Sequence, residues 1–189
     1  MYRALTWWLM SRGADPADPI LVAELATVPV IEVSTDPEHP WTRVNGKDVT
    51  GDIRSREVSA QVSVVARVPE VRAHLIAGQR AIIAAAQPGI VAEGRDIGTV
   101  VAPDALLKVF LTADSDARAR RRAAEVGAGV DATEAAQARR DRLDAAQSAK
   151  AEDAVLIDAT DLSLPAVIAE ITRLAHERTQ LACAGDKSS

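Results

Sequence analysis

A chain of 189 residues, 48% of them hydrophobic, is long enough to bury one good core and short enough that one domain with an embellishment is expected. Its formal net charge of -5 excludes a broad basic surface of the kind that draws nucleic-acid polymers or anionic membranes, so any basic site must be local. The single cysteine, Cys183, excludes a disulfide framework and a thiolate zinc site, which suits a reducing, cytoplasmic setting.

The first residues, MYRALTWWLMSRGA, imitate a secretory leader, with Arg3 ahead of a short apolar run from Ala4 to Met10. That run is at the lower length limit, its side chains are bulky and no A-x-A-like site follows, so export is not expected. No apolar stretch approaches the ~18 residues of a membrane span, and the chain is expected to be soluble. Residues 28 to 53 differ in character: they carry β-branched residues, prolines and an Asn45-Gly46 pair between apolar flanks. That pair is a strong hairpin signal and predicts a small antiparallel insertion projecting from the core.

PEVRAHLIAGQRAIIAAA, from Pro69, reads as a helix with Pro69 and Glu70 at favourable N-terminal positions. GIVAE at 89 to 93, LLKVFLTA at 106 to 113 and AVLIDAT at 154 to 160 read as buried strands, and their lack of alternation predicts cover on both faces. SLPAVIAEITRLAHERTQLA repeats the helix device with Ser163 as cap and Pro165 following. Strands alternating with helices predict a parallel α/β sheet. Between the last two strands, Asp114 to Gln147 is alanine-rich and predicted helical, with Arg118, Arg120, Arg121, Arg122, Arg139, Arg140 and Arg142, and with Gly127 and Gly129 as a turn or hinge. The closing AGDKSS reads as a frayed tail.

The stretch GRDIG, 94 to 98, falls at the carboxyl end of a predicted strand, where open α/β sheets collect ligands. Its glycines either admit a ligand to the backbone or merely make a tight loop. Arg95 and Asp96 are either a structural ion pair or charges aimed at a ligand. The arginine-rich stretch is either a solvated face or a mobile lid carrying guanidinium forks onto phosphates. His39, His74 and His176 have no metal-like spacing, and the serines, Ser59 and Ser63 among them, lack a nucleophile-elbow context. Neither G-x-x-x-x-G-K-[ST] nor G-x-G-x-x-G occurs in the chain.

Taken in order, MYRALTWW, EVSAQVSVVARVPEVR, EGRDIGTVV, PDALLKVFLTA, ARARRR, RRDRLD and AEDAVLIDAT resemble the bacterial cytidylate kinases over nearly the whole chain. Those nucleoside-monophosphate kinases use ATP to convert CMP and dCMP to their diphosphates. The resemblance implies a P-loop-kinase-like α/β fold: a parallel sheet with flanking helices, a small antiparallel insertion and an Arg-rich helical lid. It divides the chain into a core at 1–27 and 54–117, a monophosphate-binding insertion at 28–53, a lid at 118–147, a core strand and helix at 148–183, and a tail at 184–189.

By the same similarity, positions matching Ser63, Arg72 and Asp96 hold the base. Cytosine offers an amine donor beside two acceptors, so a carboxylate at Asp96 and donors at Ser63 and Arg72 suit it. Positions matching Arg3 and Arg95 meet the CMP phosphate, and Arg140 and Asp144 meet the ribose and nearby phosphate. Arg118, Arg121 and Arg122 face ATP. The arginines, Arg95 and Arg140 foremost, would absorb the charge developing in transfer, together with Mg²⁺ carried by ATP; no residue of the chain is assigned to the metal. The partners implied are CMP, dCMP and ATP, with no polymer or membrane, acting on a monomer.

Two features depart from the family pattern. Gln147 stands where a further arginine is usual. Family members also begin with a strand, a P-loop, a helix and a second strand running into an aspartate-serine/threonine-glycine-alanine step before the Tyr-Arg seen at Tyr2-Arg3. The expectation is a late start or a fragment, with the first strands absent and at least a β-α-β unit of roughly 30 residues missing. The alternative that follows is a non-catalytic remnant that binds CMP.

Overall fold

The computed structural model describes residues 1–126 and 148–185. Arg140, Asp144, Gln147, the glycines at 127 and 129 and most of the tail lie outside the described residues, as does the side chain of Arg122. Two units, Met1–Ala92 and Glu93–Ser189, are each described by themselves.

The first unit is built around α1 (Tyr2–Ser11), in the stretch that imitates a leader. Ala4, Leu5, Trp8 and Leu9 are buried, at the spacing of one helical stripe. The helix stops in a Schellman arrangement: Gly13 takes φ +72, its N–H bonds Met10 O at 3.0 Å, and Ala14 N–H reaches back to Leu9 O at 3.1 Å. Helix α2 (Pro19–Leu25) is capped by Asp18, whose carboxylate accepts from the Ile20 and Leu21 amides.

Strands β1 (Ile31–Val33), β2 (Thr42–Val44) and β3 (Lys47–Asp48) follow, antiparallel in that order. Asn45 and Gly46 turn the β2–β3 hairpin with φ of 50 and 80, both positive, as a two-residue primed turn requires. The predicted hairpin is present, but the segment does not merely project. Val44 and Val49 are buried in the same cluster as Leu5, Leu9 and Val65, because alternation along the chain turns their side chains onto α1's apolar stripe.

A 3₁₀ turn (Asp52–Arg54) leads into α3 (Arg56–Val65), capped by Ser55 Oγ accepting from Val58 N–H. Val58, Val62 and Val65 are buried, and α3 packs along α1. Helix α4 (Pro69–Ala85) begins at Pro69 with Glu70 in its first turn, as expected, and buries Val71 and Leu75 one turn apart.

In the second unit, a π-helical turn (Ile97–Val101) precedes β4 (Val109–Thr112), α5 (Ser115–Val126), β5 (Val155–Asp158) and α6 (Leu164–Gly185). Strands β4 and β5 pair in parallel, Val109 opposite Val155 through Thr112 opposite Asp158. Ser163 caps α6 through Oγ to Ala166 N–H and its carbonyl to Val167 N–H, as its position predicted.

Two expectations are corrected. Residues 89–93 form no strand: Ile90 and Val91 are exposed, Val91 to 94%, and no described strand pairs with the segment. A strand is held by its ladder, and without a neighbour an apolar run stays irregular. The two remaining strands are not covered on both faces either, since Leu111 and Leu156 are more than half exposed. Lack of alternation reports what a strand could bury, not what is packed on it.

Candidate functional site

In the first unit, Arg3 lies on the first turn of α1 and its half-buried guanidinium reaches across to α3. Nη1 donates to Ile53 O at 3.0 Å, on the 3₁₀ turn, and to Ser59 Oγ at 2.8 Å, on α3. Ser63 follows Ser59 by one turn on the same face of α3 and is only 4% exposed. Arg72 sits half-buried near the start of α4, its amide bonded to Val68 O. Arg3, Ser63 and Arg72 are thus carried by three helices of one unit.

In the second unit, Arg95 is exposed while its neighbour Asp96 is 7% exposed at the head of the π-helical turn. The Asp96 main-chain carbonyl accepts from Val100 N–H at 2.9 Å and Val101 N–H at 3.3 Å, so the backbone holds the turn and the carboxylate does not cap it. The two glycines beside it are explained by the chain's own packing. A Cβ at Gly94 would stand 2.8 Å from Ile97 Cγ1, and one at Gly98 would meet the methylenes of Lys108 at 3.2 Å. Lys108, with a nearly buried side chain, ion-pairs with Asp153 at 2.6 Å, and that bond pulls the Asp153 carboxyl below the usual range.

Helix α5 starts at the carboxyl ends of β4 and β5, and two of its arginines bond to the backbone there. Arg118 Nε donates to Ala113 O at 3.1 Å. Arg121 Nη2 lies 2.6 Å from Ala159 O and 2.9 Å from Leu162 O, with Thr160 O at 3.3 Å. Thr160 ties the strand ends together: its Oγ1 accepts from Asp114 N–H and donates to Asp158, and the hydroxyl and amide of Thr160 lower the Asp158 carboxyl.

Ser59 is the member of this arrangement that the sequence reading passed over. Its spacing, four after the cap Ser55 and four before Ser63, would have put it on their face had 56–65 been recognised as a helix. Among the described residues, no group of three or more His, Cys, Asp or Glu could hold a metal ion, and no helix is long and apolar enough to cross a membrane.

A model of the family described as cytidylate kinase matches residues 1–177. The chain is 51% identical over 172 residues to a cytidylate kinase of Streptomyces griseus subsp. griseus, covering 88% of this chain and 74% of that one. It is 52% identical over 182 residues to a cytidylate kinase of Streptomyces coelicolor, covering 94% and 79%. It is also 44% identical over 192 residues to a bifunctional pantoate ligase/cytidylate kinase of Synechococcus elongatus, covering 94% of this chain and 36% of that one. On a family match over 177 of its 189 residues and identities of this size, the chain belongs to the cytidylate kinase family.

Proposed function

We propose that this chain serves ATP-dependent phosphoryl transfer to CMP or dCMP, giving CDP or dCDP, and that Ser63, Arg72 and Asp96 select the cytosine. One observation carries the choice of base readers. Among the described residues three polar or charged side chains are buried: Thr6, Ser63 and Asp96. Thr6 donates to Tyr2 O at 2.9 Å within α1. Ser63 and Asp96 are a hydroxyl and a carboxylate withdrawn from water, where a hydrogen bond to a base is stronger than at an exposed surface. Cytosine matches both in type, with acceptors for the Ser63 hydroxyl and Arg72 and an amine for Asp96.

In this reading Arg3 and Arg95 hold the CMP phosphate, and Arg140 and Asp144 serve the ribose and the neighbouring phosphate. Arg118, Arg121 and Arg122 serve ATP, in a lid that spans 118–147. Residues 28–53 form the monophosphate-binding insertion. A phosphate oxygen of CMP attacks the γ-phosphorus in line, the bond to the β-γ bridging oxygen breaks, and ADP leaves. Guanidinium groups at Arg95 and Arg140 meet the charge that spreads over the transferring oxygens, and no enzyme nucleophile is required. Mg²⁺ accompanies ATP in such chemistry, but the described residues offer no ligand cluster and the 189 residues hold no G-x-x-x-x-G-K-[ST] run. No residue is assigned to the ion and no step is routed through it. The protein works as a cytoplasmic monomer on small nucleotides.

A second reading is binding of CMP without transfer, since the 189 residues themselves hold no glycine run whose backbone amides would cradle ATP phosphates. Release of ADP on mixing with ATP and CMP, dCMP or UMP separates the two, read beside thermal melting with each nucleotide. Turnover with CMP above UMP supports transfer. Absent turnover with a melting temperature raised by CMP, and less by UMP or ATP, supports binding alone. Equal responses to CMP and UMP in both assays refute cytosine selection.

A further inference from the structure

We infer that Ser59, together with the main-chain carbonyl of Ile53, is a positioning group that sets the direction in which Arg3 presents its guanidinium to the CMP phosphate; this rests on the reading of Arg3 given above. The geometry is local to one unit. Both N–H bonds of Arg3 Nη1 are directed onto protein oxygens, at 3.0 Å to Ile53 and 2.8 Å to Ser59. A guanidinium is a rigid planar fork, so two acceptors on one nitrogen define the plane and the direction of the donors on Nη2 and Nε.

The two acceptors are themselves held. Ile53 is buried in a 3₁₀ turn whose amide bonds to Val49 O at 3.0 Å. Ser59 belongs to α3, its amide bonded to Ser55 O at 3.0 Å, and α3 packs along the helix that bears Arg3. An arginine left to swing would lose rotamer freedom on meeting phosphate; one already fixed loses less. The same face of α3 carries Ser63 about one turn on, roughly 6 Å along the axis. A single rigid helix thereby fixes the hydroxyl that reads the base and the oxygen that aims the phosphate arginine, which spaces the two ends of the nucleotide.

The test is calorimetric binding of CMP and of cytidine to the full chain, because the ratio of the two affinities isolates the phosphate. Wild-type protein is expected to prefer CMP, and Ser59→Ala to lower that preference about 2- to 13-fold, the range of one hydrogen bond, with cytidine affinity unchanged. The isosteric pair Ser59→Thr and Ser59→Val repeats the comparison should alanine disturb folding: threonine restores the preference and valine does not. In an Arg3→Met background, Ser59→Ala should leave the ratio where Arg3→Met put it. Equal binding of CMP and cytidine by wild type would remove the phosphate role of Arg3 and so the reading beneath. A wild-type preference that survives in Ser59→Ala, or a loss shared equally by CMP and cytidine, would overturn positioning by Ser59 alone.

Discussion

Asp96→Asn is the sharpest test of base selection. The substitution keeps shape and nearly keeps volume, and it leaves the π-helical turn intact because Val100 and Val101 bond to the Asp96 carbonyl, not to its side chain. What changes is polarity at a position 7% exposed to water. The carboxylate accepts only, so uracil would face it with an oxygen, while an amide can turn either its oxygen to the cytosine amine or its nitrogen to the uracil oxygen. One wrong base contact costs about 1–3 kcal/mol, and burial removes the water that would soften it. At a factor of ten for each 1.4 kcal/mol, the preference for CMP over UMP should fall by about 5- to 140-fold. CMP should bind more weakly because a charge-assisted bond has become a neutral one, and UMP more tightly. Titration calorimetry with both nucleotides, on wild type and variant, reads the ratio directly. A preference that stays within a factor of two of wild type would refute the role of Asp96 in reading the base.

The remaining predictions concern the scaffold. Leu5→Ala removes a fully buried side chain from the centre of the first unit and should cost about 2–5 kcal/mol, seen as a lower urea midpoint at unchanged slope. An unchanged midpoint would mean that α1 does not organise this core. Lys108→Met tests the pair with Asp153 by its acid dependence. Because the folded-state pKa of Asp153 is depressed, the pair's contribution is present above the unfolded value and lost as pH falls through the folded one. The difference in urea midpoint between wild type and variant should therefore be level above about pH 4 and narrow below it. A difference that does not vary with pH would show that Lys108 acts only through the packing of its methylenes on Gly98.

The readable parts of the fold were those written in local chemistry. Pro69 and Glu70 open α4, Ser163 caps α6 and Asn45-Gly46 turns a hairpin, because each depends on the backbone preferences of a few adjacent residues. Helices α1 and α3 were passed over for different reasons. In α1 the aromatic and aliphatic run of Ala4 to Met10 looked like a leader, since burial against α3 and the hairpin makes a helix apolar on more than one side. In α3, serines at 55, 59 and 63 diluted the valine stripe that marks its buried face. Of the proposed site, the residue types at Arg3, Ser63, Arg72 and Asp96 were legible through resemblance. The bond between Ser59 and Arg3 was not, because 56 residues separate them and only the packing of α3 on α1 brings them within 2.8 Å.

The amino-acid sequence by itself determined the family, the element types wherever caps and turns announce them, and the parallel order of the strands at 109–112 and 155–158. Tertiary structure alone decided that 89–93 carries no ladder and that Val44 and Val49 join the core of α1. It also decided that Gly94 and Gly98 make room for Ile97 and Lys108, and that Ser63 and Asp96 are buried. The division has one physical cause. Propensity and capping act over a few residues of chain, whereas burial, pairing and the fixing of a guanidinium depend on which distant segments share a surface.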